Sequence, residues 1–239
     1  IMALSERKAI VTGASSGIGR AVAEALAEAG ATVLASARRE DRLRELADRH
    51  PSIRIHPADA MEPGFAEGLF EAADRMLGGC DVVVNNAGIM VAGPSDRIDL
   101  DRVSEMVRVN VESAYRVPLL AVRRFKAQGF GHLVNTSSVL GTKIRPTAGA
   151  YAGTKHAIEA LSEDLRVELA GSGVKVTCLE PGLVATELHA GFEVHPRESL
   201  GIRTPLEPED VARCVLWALD QPPHVLIARL MVLPADHAI

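Results

Sequence analysis

Tyr151 and Lys155 stand four residues apart in Tyr151-Ala152-Gly153-Thr154-Lys155, with Ser138 thirteen residues upstream. Four residues is about one helical turn, so a phenol and an ammonium emerge on one face. A free tyrosine, with a pKa of about 10, is a poor proton donor or acceptor at neutral pH. An ammonium roughly 5 Å away, at an effective dielectric of about 20, favours the phenolate by about 3 kcal/mol and lowers that pKa by about two. A tyrosine so tuned can serve as a general acid and base. The other tyrosine, Tyr115, has no basic residue four positions on. Taken alone, the pair also fits an ordinary helix in which Tyr151 packs and Lys155 is solvated.

A nucleotide site is expected near the other end of the chain. The apolar run Ala9-Ile10-Val11 leads into Thr12-Gly13-Ala14-Ser15-Ser16-Gly17-Ile18-Gly19, and an amphipathic stretch follows to Ala29, stopped by Gly30. Strand, glycine-rich turn and helix start, in that order, make a phosphate cradle. Glycines admit a pyrophosphate close to the backbone, and the helix N-terminus offers free N–H groups and a positive dipole end. The spacing is G-x-x-x-G-x-G, not the commoner G-x-G-x-x-G.

The second strand, Thr32 to Ala37, ends in Ala37-Arg38-Arg39. At that place in a dinucleotide fold a carboxylate bonds the ribose 2′-hydroxyl, whereas an arginine accommodates a 2′-phosphate. Here alanine replaces the carboxylate and two guanidinium groups follow, which favours NADP(H) over NAD(H). Arg38, next to the strand end, is the better placed of the two. The competing account is that both merely begin a solvated helix, where Glu40 and Asp41 dilute the positive field.

Together these residues resemble the short-chain dehydrogenase/reductase family over nearly the whole chain. Its markers occur in order: Thr12-Gly13 to Gly19, Asp59, Asn85-Asn86-Ala87-Gly88, Asn110, Ser138, Tyr151-x-x-x-Lys155, and Pro181-Gly182 followed by Thr186. The C-terminal third is more weakly similar to the branch of 3-hydroxy acid (serine) dehydrogenases and clavulanate-type aldehyde reductases. The resemblance implies that Asp59, with Ala60, meets the adenine and that Asn86, Ala87 and Gly88 support the cofactor. It implies that Pro181, Gly182, Val184 and Thr186 wrap the nicotinamide, and that Lys155 binds the nicotinamide ribose. It also selects Ser138 over Ser137 as the hydroxyl that orients a carbonyl and stabilises its oxyanion. Asn110 would hold a water linking Lys155 to solvent; a buried amide in an apolar helix in any case needs a partner. The catalytic set expected is therefore Asn110, Ser138, Tyr151 and Lys155, for reversible hydride transfer between NADP(H) and a small carbonyl or alcohol. Residues 187–206 would form a substrate lid. His189, His195 and Arg197 in it, and Arg145 outside it, could recognise an acidic or strongly polar substrate, but ordinary surface-loop polarity is the favoured account of them.

Two other classes share such a fold. A dinucleotide-binding sensor would be expected to have lost part of the Asn, Ser, Tyr and Lys set, and all four are present. A halide-binding dehalogenase needs neither the phosphate turn nor the arginine pair. A serine nucleophile is disfavoured, because no G-x-S-x-G elbow surrounds Ser138. The chain's net charge of −5 gives no basic footprint for nucleic acid. Three cysteines without a C-x-x-C, and histidines without ligand spacing, argue for a reducing compartment and against a metal site. No apolar run reaches membrane-spanning length and no signal-peptide pattern is visible, so a cytoplasmic enzyme is expected.

Something must hold these residues together. At 239 residues and 47% hydrophobic, the chain fits one domain with a large core. Short β-branched runs alternate with helical ones. Strands are predicted at Lys8–Thr12, Thr32–Ala37, Ile53–His56, Asp81–Asn85, Gly131–Thr136, Lys175–Glu180 and Val225–Val232. Helices are predicted at Gly17–Ala29, Glu40–Arg49, Pro63–Leu77, Leu100–Gln128, Ala148–Ala170 and Pro208–Leu219. Continuously apolar strands such as Val82-Val83-Val84 imply burial on both faces. The expected fold is a Rossmann-like, doubly wound α/β domain, a parallel sheet with helices on both sides. The glycine turn, Asn85–Gly88, Ser138 and Pro181 all follow strand ends, and so converge on one sheet edge. From the family, a homo-oligomer is expected through the long helices and the last strand.

Overall fold

Strands with no polar face must be covered twice, and the chain does so by winding helices over both sides of one sheet. The computed structural model describes residues 4–190, 192 and 194–239. The strands are β1 (Lys8–Thr12), β2 (Thr32–Ala37), β3 (Ile53–Pro57), β4 (Val82–Asn85), β5 (Gly131–Thr136), β6 (Val174–Pro181) and β7 (Arg229–Val232). The helices are α1 (Gly17–Glu28), α2 (Glu40–Arg49), α3 (Phe65–Leu77), α4 (Leu100–Val107), α5 (Ala114–Gln128), α6 (Gly149–Glu168), α7 (Pro196–Ser199) and α8 (Pro208–Leu219). The sheet order is β3-β2-β1-β4-β5-β6-β7 and every pairing is parallel. This is the doubly wound arrangement, with the order reversing between β1 and β4.

Strand alternation divides the core. Val11, Val33, Ala35 and Val84 pack with α1, α2 and α8, while their neighbours Ile10, Leu34, Val83 and Leu133 pack with α3, α5 and α6. No helix among the described residues is long and apolar enough to cross a membrane.

The structure departs from the predicted elements in three instructive places. The helix expected over Leu100–Gln128 is interrupted by a π-helical turn at Arg108–Ser113. Val107, Val109 and Val111 are spaced by two and cannot share one α-helical face; Val109 is buried while Val107 is exposed. The last strand begins at Arg229, not Val225, because the chain first turns at Pro222, where Val225 N–H donates to Pro222 O. Helix α3 starts at Phe65, since Gly64 is left-handed (φ 80°).

Asn85 secures the junction behind the site. Pro118 lies inside α5 and lacks the N–H that the Ala114 carbonyl would otherwise accept. Asn85 Nδ2 donates to that carbonyl at 3.0 Å, and also to Asn135 Oδ1 at 3.1 Å. Asn135 in turn donates to Ser162 Oγ at 3.0 Å. One buried amide chain thus ties β4, β5, α5 and α6.

Candidate active site

The glycine turn joins β1 to α1 at the point where the strand order reverses. Thr12 Oγ1 accepts the N–H groups of Asn86 (2.9 Å) and Ala87 (3.0 Å), and Asn86 Nδ2 donates to Thr12 O at 3.1 Å. These bonds fasten the turn after β4 to the turn after β1. A β-carbon on Gly19 would run into the Gly13 carbonyl and the Asn86 amide, and Gly17 (φ 55°) packs directly on the Thr186 side chain. Ser16 stands at the N-cap of α1, yet its hydroxyl bonds no first-turn amide. Those N–H groups remain available to an anion. Ile18 meanwhile packs into the core beneath. The cradle fits a dinucleotide pyrophosphate on chemistry and on space.

The two arginines part company. Arg39 Nη2 donates to Ser16 Oγ at 2.6 Å and to Ser15 Oγ at 3.2 Å. Arg38 points outward with 62% of its side chain exposed, 3.9 Å from Asp59. Asp59 also accepts Met61 N–H at 3.0 Å, and the neighbouring Ala60 packs on the core. Arg39, rather than Arg38, is thus the guanidinium held over the cradle. Sequence reasoning missed its other partners. Glu187, at the start of the 187–206 segment, binds Arg39 (2.6 Å) and Arg42 (2.7 Å). The only sequence signal for Arg42 was its place one helical turn after Arg38.

After β6, Gly182 N–H donates to Val232 O, and the buried Val184 pairs with Leu206 in an isolated bridge. This brings Pro181 to Thr186 over the glycine turn. A cavity of about 550 Å³ opens there, lined by Ser16, Gly17, Arg42, Thr186, Glu187 and His195. Gly191 and Glu193 of the expected lid lie outside the described residues. The rest contains a 3₁₀ turn at Glu187–His189 and the short helix α7.

Deeper in, Ser138, Tyr151 and Lys155 meet. Ser138 begins a 3₁₀ turn after β5, where its Oγ accepts Leu140 N–H at 3.1 Å, and its hydroxyl is near enough to the Tyr151 phenol to pull that group's pKa down. Ser137 turns the other way and donates to Lys155 O at 3.4 Å. Lys155 Nζ donates to Thr136 O at 2.9 Å and lies 5.8 Å from the Tyr151 ring centroid. Gly88 borders both Asn110 and Lys155; a β-carbon there would stand 3.3 Å from Asn110 Oδ1 and 3.6 Å from Lys155 Nζ. Asn110, on the π turn, accepts Ile89 N–H (2.9 Å) and donates to Ile89 O (2.8 Å) and Thr154 Oγ1 (3.2 Å). Its amide is fully engaged, clamping the loop after β4 to α6. π turns recur at functional sites for this kind of re-aiming.

The electrostatics correct one expectation. Burial pushes the Tyr151 phenol up to about 12, against the downward pull of Ser138 and of Arg145. Burial likewise pulls Lys155 down to about 8, opposed by Cys178 and Glu159. Helical spacing correctly put both groups on one face, but desolvation outweighs their mutual attraction in this ligand-free geometry. Among the described residues, no group of three or more His, Cys, Asp or Glu is placed to hold a metal ion.

One edge of the doubly wound sheet thus carries both a glycine turn at a helix start and a buried Ser–Tyr–Lys constellation. The family model for short chain dehydrogenase matches residues 7–195. An uncharacterised oxidoreductase of Staphylococcus aureus is 34% identical over 233 residues, covering 97% of this chain and 98% of the relative. Two solved structures superpose closely. A serine dehydrogenase complexed with NADP+ has a TM-score of 0.91 at 27% identity, covering 97% of this chain and 96% of that one. The 3-ketoacyl-(acyl-carrier-protein) reductase of Brucella melitensis, complexed with NADH, has a TM-score of 0.89 at 26% identity, covering 98% and 99%. The chain belongs to the short-chain dehydrogenase family.

Proposed function

We propose that the protein is an NADP(H)-dependent oxidoreductase that interconverts a small aldehyde or ketone and its alcohol, with Tyr151 as general acid and base. What carries the reading is the convergence of Ser138, the buried Tyr151 phenol and Lys155, whose Nζ is 5.8 Å from the Tyr151 ring centroid, at the strand ends that also bear the glycine cradle. Burial keeps the phenol protonated near neutral pH, so Tyr151 is loaded as an acid toward a carbonyl oxygen. Ser138 is positioned to donate a second hydrogen bond to that oxygen. Lys155 can exchange the Thr136 carbonyl for ribose hydroxyls and bring its charge to bear on the phenol. Asn110 positions α6, and Thr154 links its amide to the Tyr151 carbonyl (2.7 Å). The nicotinamide supplies the hydride, while the protein supplies orientation and electrostatics.

The coenzyme preference rests on Arg39, with Ser15 and Ser16, and on Arg42. Glu187 places a carboxylate where a 2′-phosphate would find the same two guanidinium groups. Val184 and Thr186 would flank the nicotinamide, Asp59 the adenine, and residues 187–206 would close over the substrate as part of one domain. Association into a homo-oligomer is supported by the exposed Trp217 on α8 and Met231 on the unpaired edge of β7. Initial rates of NADPH and NADH oxidation across aldehydes, ketones and keto acids test the reading, with Tyr151→Phe as control. Coenzyme binding without turnover on any carbonyl compound would refute the enzyme reading in favour of a sensor.

A further inference from the structure

Behind the catalytic lysine the fold buries two carboxylates that hydrogen bonds leave unsatisfied. Glu159 on α6 is 6% exposed and Glu180 on β6 is 2% exposed. Both Glu159 oxygens and Glu180 Oε1 lack a hydrogen-bond partner among the described residues. Arg229, at the start of the edge strand β7, pairs with both from the rim. Its Nη2 lies 3.4 Å from Glu159 Oε2 and its Nε lies 3.8 Å from Glu180 Oε1. The exposed Glu163, one turn further along α6, shares Nη2 at 3.6 Å. Taking a carboxylate out of water against so loose a partner is costly.

Glu159 meets the catalytic set by two routes. Along α6 it follows Lys155 by four residues, a spacing that sets β-carbons about 5–6 Å apart on one face, and both residues are buried. Across the helix it presses on the turn that carries Ser138. A β-carbon on Gly141 would stand 2.9 Å from Glu159 Cγ and Oε1, and would also strike Ser137 Oγ. Gly141 N–H donates to Ser138 O at 2.8 Å, and Ser137 Oγ donates to Lys155 O at 3.4 Å. Lys155 Nζ in turn donates to Thr136 O at 2.9 Å. Carboxylate and ammonium thus hold one short segment, Thr136 to Gly141, with Ser138 inside it.

We propose that Glu159, clasped by Arg229, is a positioning residue that keeps Lys155 an ammonium and braces the Ser138 turn. The inference rests on Lys155 and Ser138 belonging to the catalytic set, and it adds what sustains them. Burial drives Lys155 toward its neutral form, and two groups oppose this, Cys178 on β6 and Glu159. Burial pushes the Cys178 thiol up and keeps it protonated, so near neutral pH the opposing charge is that of Glu159. Burial and Glu159 also push the Glu180 carboxyl up, against the pull of Arg229. Arg229 stands on the far side of the pair and offsets part of the field that Lys155 feels. A neutral lysine would lose its attraction for the phenolate and a donor toward ribose hydroxyls.

The test is the titration of Lys155 in the ligand-free protein, followed by carbon NMR at lysine Cε. Only Lys8, Lys126, Lys143 and Lys175 add further signals, and Lys155→Met assigns the one of interest. The parent midpoint is expected near 8. Glu159→Gln keeps the shape and removes the charge, and should lower that midpoint by about one pH unit. Glu159→Asp should restore part of the shift. Glu163→Gln removes an exposed partner of the same arginine and should leave the midpoint in place. A merely structural Glu159 would change Tm without moving Lys155; that result, or an equal shift in Glu163→Gln, overturns the proposal. NADPH affinity, measured by fluorescence against pH, should begin to fall about one pH unit lower in Glu159→Gln. An affinity loss equal at every pH would likewise overturn the assignment. If Glu159→Gln does not fold, Arg229→Gln decides: a raised Lys155 midpoint upholds the role of the clasp and an unmoved one refutes it. Failure of the parent to bind NADPH would instead strike at the proposed function, because the Lys155 titration needs no coenzyme.

Discussion

Around the glycine turn, the groups available to a dinucleotide are backbone amides and arginines such as Arg39, whose side chain is 39% exposed. Around Tyr151 they are side chains withdrawn from water, with Tyr151 and Lys155 each 5% and Ser138 9% exposed. The first region works by shape and unscreened donors, so a short local motif is sufficient to build it. The second works by shifted proton affinities, which depend on everything packed around the groups. Charges in the outer region already have partners that a ligand must displace, as Glu187 shows. In the inner region the ionisable groups meet backbone carbonyls and hydroxyls, and desolvation dominates.

Removing the phenolic oxygen separates the two regions most sharply. Tyr151→Phe is expected to lower kcat by about a thousandfold, within the range for a lost general acid, while NADPH binding measured by fluorescence titration is retained. A matching loss of binding would show that the regions are not separable. The converse variant is Gly19→Val, whose side chain has no room against the Gly13 carbonyl and Asn86. It should abolish measurable coenzyme binding and cost about 1–3 kcal/mol of stability by overpacking, read as a lowered Tm.

Arg39→Ala should weaken NADPH binding by about tenfold or more, the worth of a charge-assisted hydrogen bond, with little effect on NADH. Arg38→Ala should do less, and the reverse ranking would return the 2′-phosphate to the residue adjacent to β2. The inner region predicts a pH signature. Lys155 has its folded pKa lowered from 10.5 to about 8, so between those values the unfolded chain binds the extra proton. Stability of the ligand-free protein should therefore rise as pH increases from about 8 toward 10.5, and Lys155→Met should flatten that rise in denaturant titrations. Above 10 the Tyr151 phenol, protonated up to about 12 when folded, works in the opposite direction. The smallest effect is expected for Glu187→Gln. An exposed ion pair is worth about 1 kcal/mol at most, so NADPH binding should tighten by at most about fivefold while NADH binding is unmoved.

Legibility in the sequence follows the same division. Gly13 to Gly19, Asn86 to Gly88 and the strand ends were visible because turns and apolar runs are local, and the sheet brings them together as expected. The Tyr151–Lys155 spacing correctly gave a shared helical face. It could not give the burial that raises one group and lowers the other. The π turn at Asn110 was hinted at only by valines spaced by two. The choice between Arg38 and Arg39 turned on side-chain direction at a helix start, which residue order does not encode. Glu187 meets Arg39 across 148 positions, and such a contact has no local signature.

The sequence by itself determined the doubly wound sheet, the glycine turn between β1 and α1, and the shared helical face of Tyr151 and Lys155. These arise from hydrophobic periodicity, glycine geometry and helical pitch, all set within a few residues. Only the tertiary structure decided that Arg39 rather than Arg38 bonds Ser15 and Ser16, that Glu187 meets Arg39 and Arg42, and how burial moves Tyr151 and Lys155. Those outcomes depend on desolvation and on contacts between distant segments, which exist only once the sheet has brought the strand ends together.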